Sequence, residues 1–204
     1  MSELTEHPYA KAIWDKLNAK LGNKIGVAAL MGNLQAESGL YPDRVQGDIP
    51  YSDYSKQYTA RVDSGEISEN DFVNNGPNGG GYGLAQWTFY TRKQALYDMY
   101  KIGGYTSIGS VDLACDFLLR ELERDYPNVY NALLWASSIR YASDIVLHDF
   151  ENPADQSTSV EELRASMGQA IYDTFSDSSP STPITPTTKR RMSKLLLWAT
   201  ATDI

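Results

Sequence analysis

The stretch GVAALMGNLQAESGL, residues 26–40, decides the fold. Within it Val27, Leu30, Met31 and Leu34 recur at the three- and four-residue steps of an α-helix. The spacing predicts a helix over about residues 24–38, closed by Gly39, a residue suited to left-handed backbone past a helix end. Glu37 lies seven positions after Leu30. Seven steps of about 100° return to within about 20° of the starting direction. Glu37 therefore continues the apolar stripe at the end of the helix. Partial burial and the negative end of the helix dipole both disfavour a carboxylate, which is the setting a proton donor requires. A Glu at a frayed helix end, bonded to a basic neighbour such as Arg44, fits the same position equally well.

On either side of this stretch, helical periodicity dominates residues 1–176. Tyr9–Leu21 sets Ala10, Ile13, Trp14, Leu17 and Leu21 on one face. A further helix starts near Trp87 and runs through RKQALYDMYK to Gly103 and Gly104. Ser110 is placed to cap SVDLACDFLLRELERDY, with Asp112 in its first turn. YASDIVLHDF gives another helix, stopped before Pro153. Ser159 and Glu162 have capping-box spacing ahead of Val160, Leu163, Met167, Ala170 and Ile171.

Residues 39–86 break this pattern. Gly, Pro, Asp, Asn, Ser and Tyr dominate, and the segment is too long for an ordinary loop. Short strands around YSKQYTARV and a turn at Asp63-Ser64-Gly65 are predicted. The expected fold is mainly α, of an α+β kind: a helical domain with a small β-hairpin or loop excursion forming one wall of a cleft.

The excursion ends in NNGPNGGGYGLAQWT, residues 74–88, with five glycines. Such density implies unusual backbone or close approach to a ligand. No GxGxxG register follows a strand, and no Gly-Lys-Ser/Thr is present, so dinucleotide and P-loop sites are excluded. The stretch carries Tyr82, Gln86 and Trp87 instead. A glutamine amide both donates and accepts, matching sugar hydroxyl and N-acetyl groups, and Tyr and Trp supply flat faces for sugar rings. The plain alternative is a Gly-rich turn with Trp87 packed in the core.

AESGL, a polar insert and GYGLAQW, with the flanking YPDRVQGD, YSKQYTARVDSGEISENDF and ASDIVLHDFENPADQS, resemble the lysozyme-like superfamily, closest to the phage tail lysozyme and endolysin muramidase domain. The resemblance spans about residues 8–175. It implies an α-rich lysozyme-type fold and cleavage of peptidoglycan glycan strands. It places Glu37 at the family's catalytic glutamate, and Gly83, Leu84 and Gln86 at its cleft-lining segment, with Ala85 where Met is common. The alanine-tyrosine-asparagine element of lytic transglycosylases is absent here. Muramidase action therefore stands ahead of a transglycosylase giving 1,6-anhydro products, or of a non-catalytic wall-binding virion module.

Most glycosidases use a second carboxylate. Asp43, Asp48, Asp53, Asp63, Glu66, Glu69 and Asp71 lie in the excursion. Asp63, at the turn after the strand-like run, is favoured, with Asp48 and Asp71 next. Each also fits a turn-forming Asp bonded to its own backbone. Cys115 and His148 raise a cysteine-peptidase possibility, but Cys115 sits among apolar residues inside a helix, where a buried inert thiol is expected. Glu151, at the end of a helix in FENP, reads as structural.

Lys+Arg 18 against Asp+Glu 26 give a net charge of -8. Nucleic-acid backbone binding is disfavoured by that balance. The single cysteine makes no internal disulfide, and no metal or organic cofactor is expected. No secretory signal and no apolar run of about 20 residues is present, and the resemblance implies release through a pore or carriage on a phage tail. Residues 1–176 are expected to form the peptidoglycan-cleaving domain. A Pro/Ser/Thr-rich linker is expected at 177–188, and a basic-apolar tail or the start of a further module at 189–204. The resemblance implies bacterial peptidoglycan glycan strands as the partner, with an additional wall-binding module or phage tail proteins as further expected ones.

Overall fold

The structure is a computed structural model and describes residues 3–76 and 80–177. The expected linker beyond Asp177 and the 189–204 tail lie outside the described residues. The helices are α1 (Glu3–Glu6), α2 (Ala10–Leu21), α3 (Lys24–Ser38), α4 (Asp53–Asp63), α5 (Tyr90–Ile102), α6 (Val111–Asp125), α7 (Pro127–Leu134), α8 (Ile139–Val146) and α9 (Thr158–Phe175). Two five-residue π-helical turns, Asp71–Asn75 and Leu147–Glu151, join them.

The architecture follows from α3. Every residue from Gly26 to Leu34 is buried, so the helix is covered on all sides and not only along a stripe. Asn23 caps it, its side chain accepting from the Ile25 and Gly26 N–H groups. Gly39 closes it at φ 65°. Helices α2, α7, α8 and α9 pack around it. The α3–α9 crossing is close enough that backbones meet. A β-carbon at Gly32 would stand 2.5 Å from the Arg164 carbonyl oxygen and 2.6 Å from the Gly168 nitrogen. Gly32→Ala is therefore expected to cost about 2 kcal/mol or more, lowering Tm by about 5 °C. A thermal melt by circular dichroism checks this, and an unchanged Tm would refute the close crossing.

Among the described residues no strand is present, which corrects the β-hairpin part of the expected fold. YSKQYTARV lies in α4 instead. Tyr, Thr and Val suggest a strand, but Ser55, Tyr58, Thr59 and Val62 fall at helical spacing and form its buried face. Ser52 caps the helix by accepting from Tyr54 N–H. The turn at Ser64-Gly65 comes directly after it. All that remains of β pairing is two isolated antiparallel bridges, Val45 with Tyr82 and Tyr82 with Trp87.

Two smaller expectations also change. Helix α9 starts two residues earlier than the capping-box pattern implies, and the Ser159 hydroxyl pairs with Ser157 Oγ at 2.9 Å instead of capping. The helix expected near Trp87 begins at Tyr90. Ser110 caps α6 as expected, accepting from Leu113 N–H. No described helix is long and apolar enough to cross a membrane.

Candidate active site

Glu37 projects from the last turn of α3 into an open cavity of about 340 Å³. Arg44, Gln46, Ile49, Gln86, Phe89 and Arg92 line it, together with Glu151. Ile49 and Phe89 are 80% and 71% exposed, so two apolar faces stand at the rim of a polar cleft.

The sequence holds Glu37 in place through α9. Arg164, only 7% exposed, donates from Nη2 to Glu37 Oε1 at 2.5 Å, with the Glu37 side chain 22% exposed. Asn33, one helical turn before Glu37, accepts from Arg164 Nη1 at 3.2 Å. The Asn33 amide in turn donates to the Ala29 and Ser143 carbonyls and to Ser143 Oγ. A buried polar chain thus runs from α8 through α3 to α9 and fixes the carboxyl of Glu37. The basic partner of Glu37 is Arg164. Arg44 donates to the Ser38 carbonyl instead, at 3.2 Å.

The opposite wall is built by two loop segments stitched together. Gln46 N–H donates to the Gly81 carbonyl, and Gly81 N–H to Gln46 Oε1. Gly83 N–H and Gln86 Nε2 both donate to the Arg44 carbonyl, at 2.8 and 3.1 Å. Gly83 has φ +80°, and a β-carbon there would sit 2.8 Å from the Trp87 ring. The glycine density near 83 is thus answered by packing against Trp87. Gln86 itself takes φ 44°, a conformation that is uncommon outside glycine. Its amide also donates to the Gly83 carbonyl at 2.9 Å, which offsets that conformational cost.

Of the residues singled out in the sequence, Glu37 and Gln86 meet at the cavity. Tyr82 and Trp87 are fully buried and line no part of it. Tyr82 shares a hydrogen bond of 2.7 Å with Thr59 Oγ1. Trp87 Nε1 donates to Glu121 Oε2 at 3.0 Å, and its ring meets Phe117 edge-on at 5.0 Å. Asp63, at the end of α4, accepts from Ile108 N–H at 2.8 Å. Asp48 is buried and accepts from Ser52 and Ser55. Asp71 accepts from Ser68 and Asn75 on the surface. None of these three aspartates lines the cavity. Cys115 is buried in α6, and burial pushes its thiol up to about 12. His148 bonds Gln156 and Glu161, away from Cys115.

At the cavity, Arg92 and the rim residues Ile49 and Phe89 carry no mark in the sequence, and neither does Arg164, which holds Glu37 from α9. Arg164 lies 127 positions from Glu37, so no local signal joins them. Glu151 is visible there only as a helix-end acid in FENP.

The described residues thus form a mainly helical body with a glutamate at the C-terminal end of its central helix, lining a polar cavity together with the end of a Gly-rich loop. A model of the phage tail lysozyme family matches residues 8–175, and the chain belongs to that family. It is a phage lysozyme-type peptidoglycan hydrolase. No curated protein and no solved structure matches the chain.

Proposed function

We propose that the enzyme is a muramidase, hydrolysing the β-1,4 bond between N-acetylmuramic acid and N-acetylglucosamine, with Glu37 protonating the departing glycosidic oxygen. One observation carries this: Glu37 and Gln86 face the same open cavity, the first fixed by a buried arginine and the second by the loop backbone. A pre-oriented acid beside an amide is what leaving-group protonation on an N-acetylated sugar needs. Gln86 holds the substrate, and Ile49 and Phe89 offer apolar faces to the sugar rings. Tyr82, Gly83 and Trp87 serve as the frame behind Gln86, and Asp63 as a tie between α4 and the Ile108 segment. The family description favours a tail-borne lysin, working at the bacterial wall, over a free endolysin.

Product analysis on purified peptidoglycan tests the assignment. Hydrolysis gives muropeptides with reducing N-acetylmuramic acid ends. A 1,6-anhydro product, lighter by one water, would make the enzyme a transglycosylase. Binding to sacculi with no release of reducing ends would make it a wall-adhesion module.

A further inference from the structure

Glu151 ends the π-helical turn Leu147–Glu151 and stands on the same cavity wall as Glu37. Its Oε1 is shut off from solvent and meets no hydrogen-bond donor among the described residues. Each of the two cations beside it bonds another carboxylate, and Arg164 Nε, like Glu151 Oε1, is buried without a hydrogen-bond partner among the described residues. Arg92 gives Nε and Nη2 to Glu121, at 2.6 and 2.8 Å. Arg164 gives Nη2 to Glu37 and Nη1 to Asn33. A carboxylate oxygen buried without a donor is costly, and protonation is its least costly relief. The cavity therefore holds two unlike carboxyl groups: one ion-paired, one left without a cation.

We infer that Glu37 and Glu151 hold one proton between them, and that Glu151 is the positioning residue that keeps this proton beside Glu37 at neutral pH. This rests on the muramidase reading above and deepens it. At rest the proton sits on Glu151, while Glu37 pairs with Arg164. During reaction it passes to Glu37 and then to the glycosidic oxygen, which keeps the electron pair of the breaking C–O bond. Water adds its hydroxyl to the sugar carbon, and its remaining proton returns to the carboxyl pair. Protons and electrons balance without any co-reactant.

The electrostatics agree with the geometry. Burial, and then the charge of Glu37, push Glu151 up to about 8, against the pull of Arg92 and Arg164. The charged groups facing it are Glu37 from α3, Arg92 from α5, Glu121 from α6 and Arg164 from α9. Its own turn and α8 carry His148, Arg140 and Asp144, but these close a separate network with Glu161. Tyr126 meets the neighbouring Phe150 ring edge-on at 5.0 Å.

Glu151→Gln copies the shape of the protonated side chain but cannot titrate. In the variant, no second carboxyl holds a proton beside Glu37. The alkaline limb of the kcat/KM profile on solubilised glycan is expected to move at least one pH unit lower, with about a tenfold loss at pH 8. A limb coinciding with that of the wild type would overturn the inference, since a purely structural role would lower the rate without moving the profile. Thermal melts give a readout independent of activity, and decide the matter if the variant turns over too slowly to profile. Folded Glu151 keeps its proton where the unfolded chain has lost it, so wild-type stability falls as pH rises from about 5 to about 8. The Tm advantage of Glu151→Gln is therefore expected to grow by about 3 °C or more across that interval. An advantage constant with pH would overturn the inference. Wild-type protein that releases no reducing ends, yet shows the pH-dependent Tm difference, would instead strike the muramidase assignment and leave the shared proton standing.

Discussion

Glu37→Gln is expected to abolish the clearing of cell-wall suspensions while the protein still folds. The amide keeps the size of the carboxyl and one oxygen to accept from Arg164 Nη2, but has no acidic proton to give. General acid catalysis by a positioned group contributes about 10²–10⁴-fold, so kcat/KM should fall by about 10³. Stability should change less. Arg164 loses its charged partner but keeps Asn33, and the site is open to water on the cavity side. A loss of about 1–3 kcal/mol is expected, read as a lower Tm with an unchanged far-ultraviolet spectrum. Turbidity clearing at the wild-type rate by the folded variant would sink the role of Glu37.

The largest stability effect is expected at Glu121, which touches no part of the cavity. It is only 5% exposed and accepts from Arg92 Nε and Nη2 and from Trp87 Nε1. Glu121→Ala would leave the indole N–H buried without an acceptor and the partly buried Arg92 guanidinium without its carboxylate. Breaking a buried pair by removing one member costs about 3–5 kcal/mol, because the remaining charge stays uncompensated. Tm should drop by about 10 °C. Glu121→Gln, which retains an acceptor for Trp87, should fall between the two. Urea unfolding measures both, and a loss under about 1 kcal/mol for the alanine variant would show that the network contributes little. Activity should fall as well, since Arg92 lines the cavity and Trp87 backs the Gly83–Gln86 loop.

Much of the helical frame is legible from periodicity. α2 and α3 follow their apolar spacing, and Ser110 marks α6 at the residue. Helix α4 is hidden because its Tyr, Thr and Val favour strands, while the small buried face that decides the matter includes a serine. Helix α7 is eight residues long and opens at Pro127, too short for a period to stand out. At the site, Glu37 and Gln86 are legible because each sits in a local pattern. The stripe that points to Glu37 belongs to a helix buried on every side, which its alternation of small and large residues conceals. Partners at long range are not legible. Arg164, Arg92 and Glu151 gather around Glu37 only through the packing of α5, α9 and the π-helical turn. Asp48 and Asp71 accept hydrogen bonds from residues a few positions away, whereas Asp63 accepts from Ile108 N–H, far along the chain.

The backbone-to-backbone crossing at Gly32 and Gly168 has a consequence for how a polymer enters. It welds the glutamate and the arginine that grips it into one block that cannot slide or splay without steric collision. On the facing side Val45, Tyr82, Leu84 and Trp87 are anchored in the core, and only the rim at Ile49 and Phe89 stands free of it. Amide exchange is expected to find that rim opening before the α3–α9 crossing.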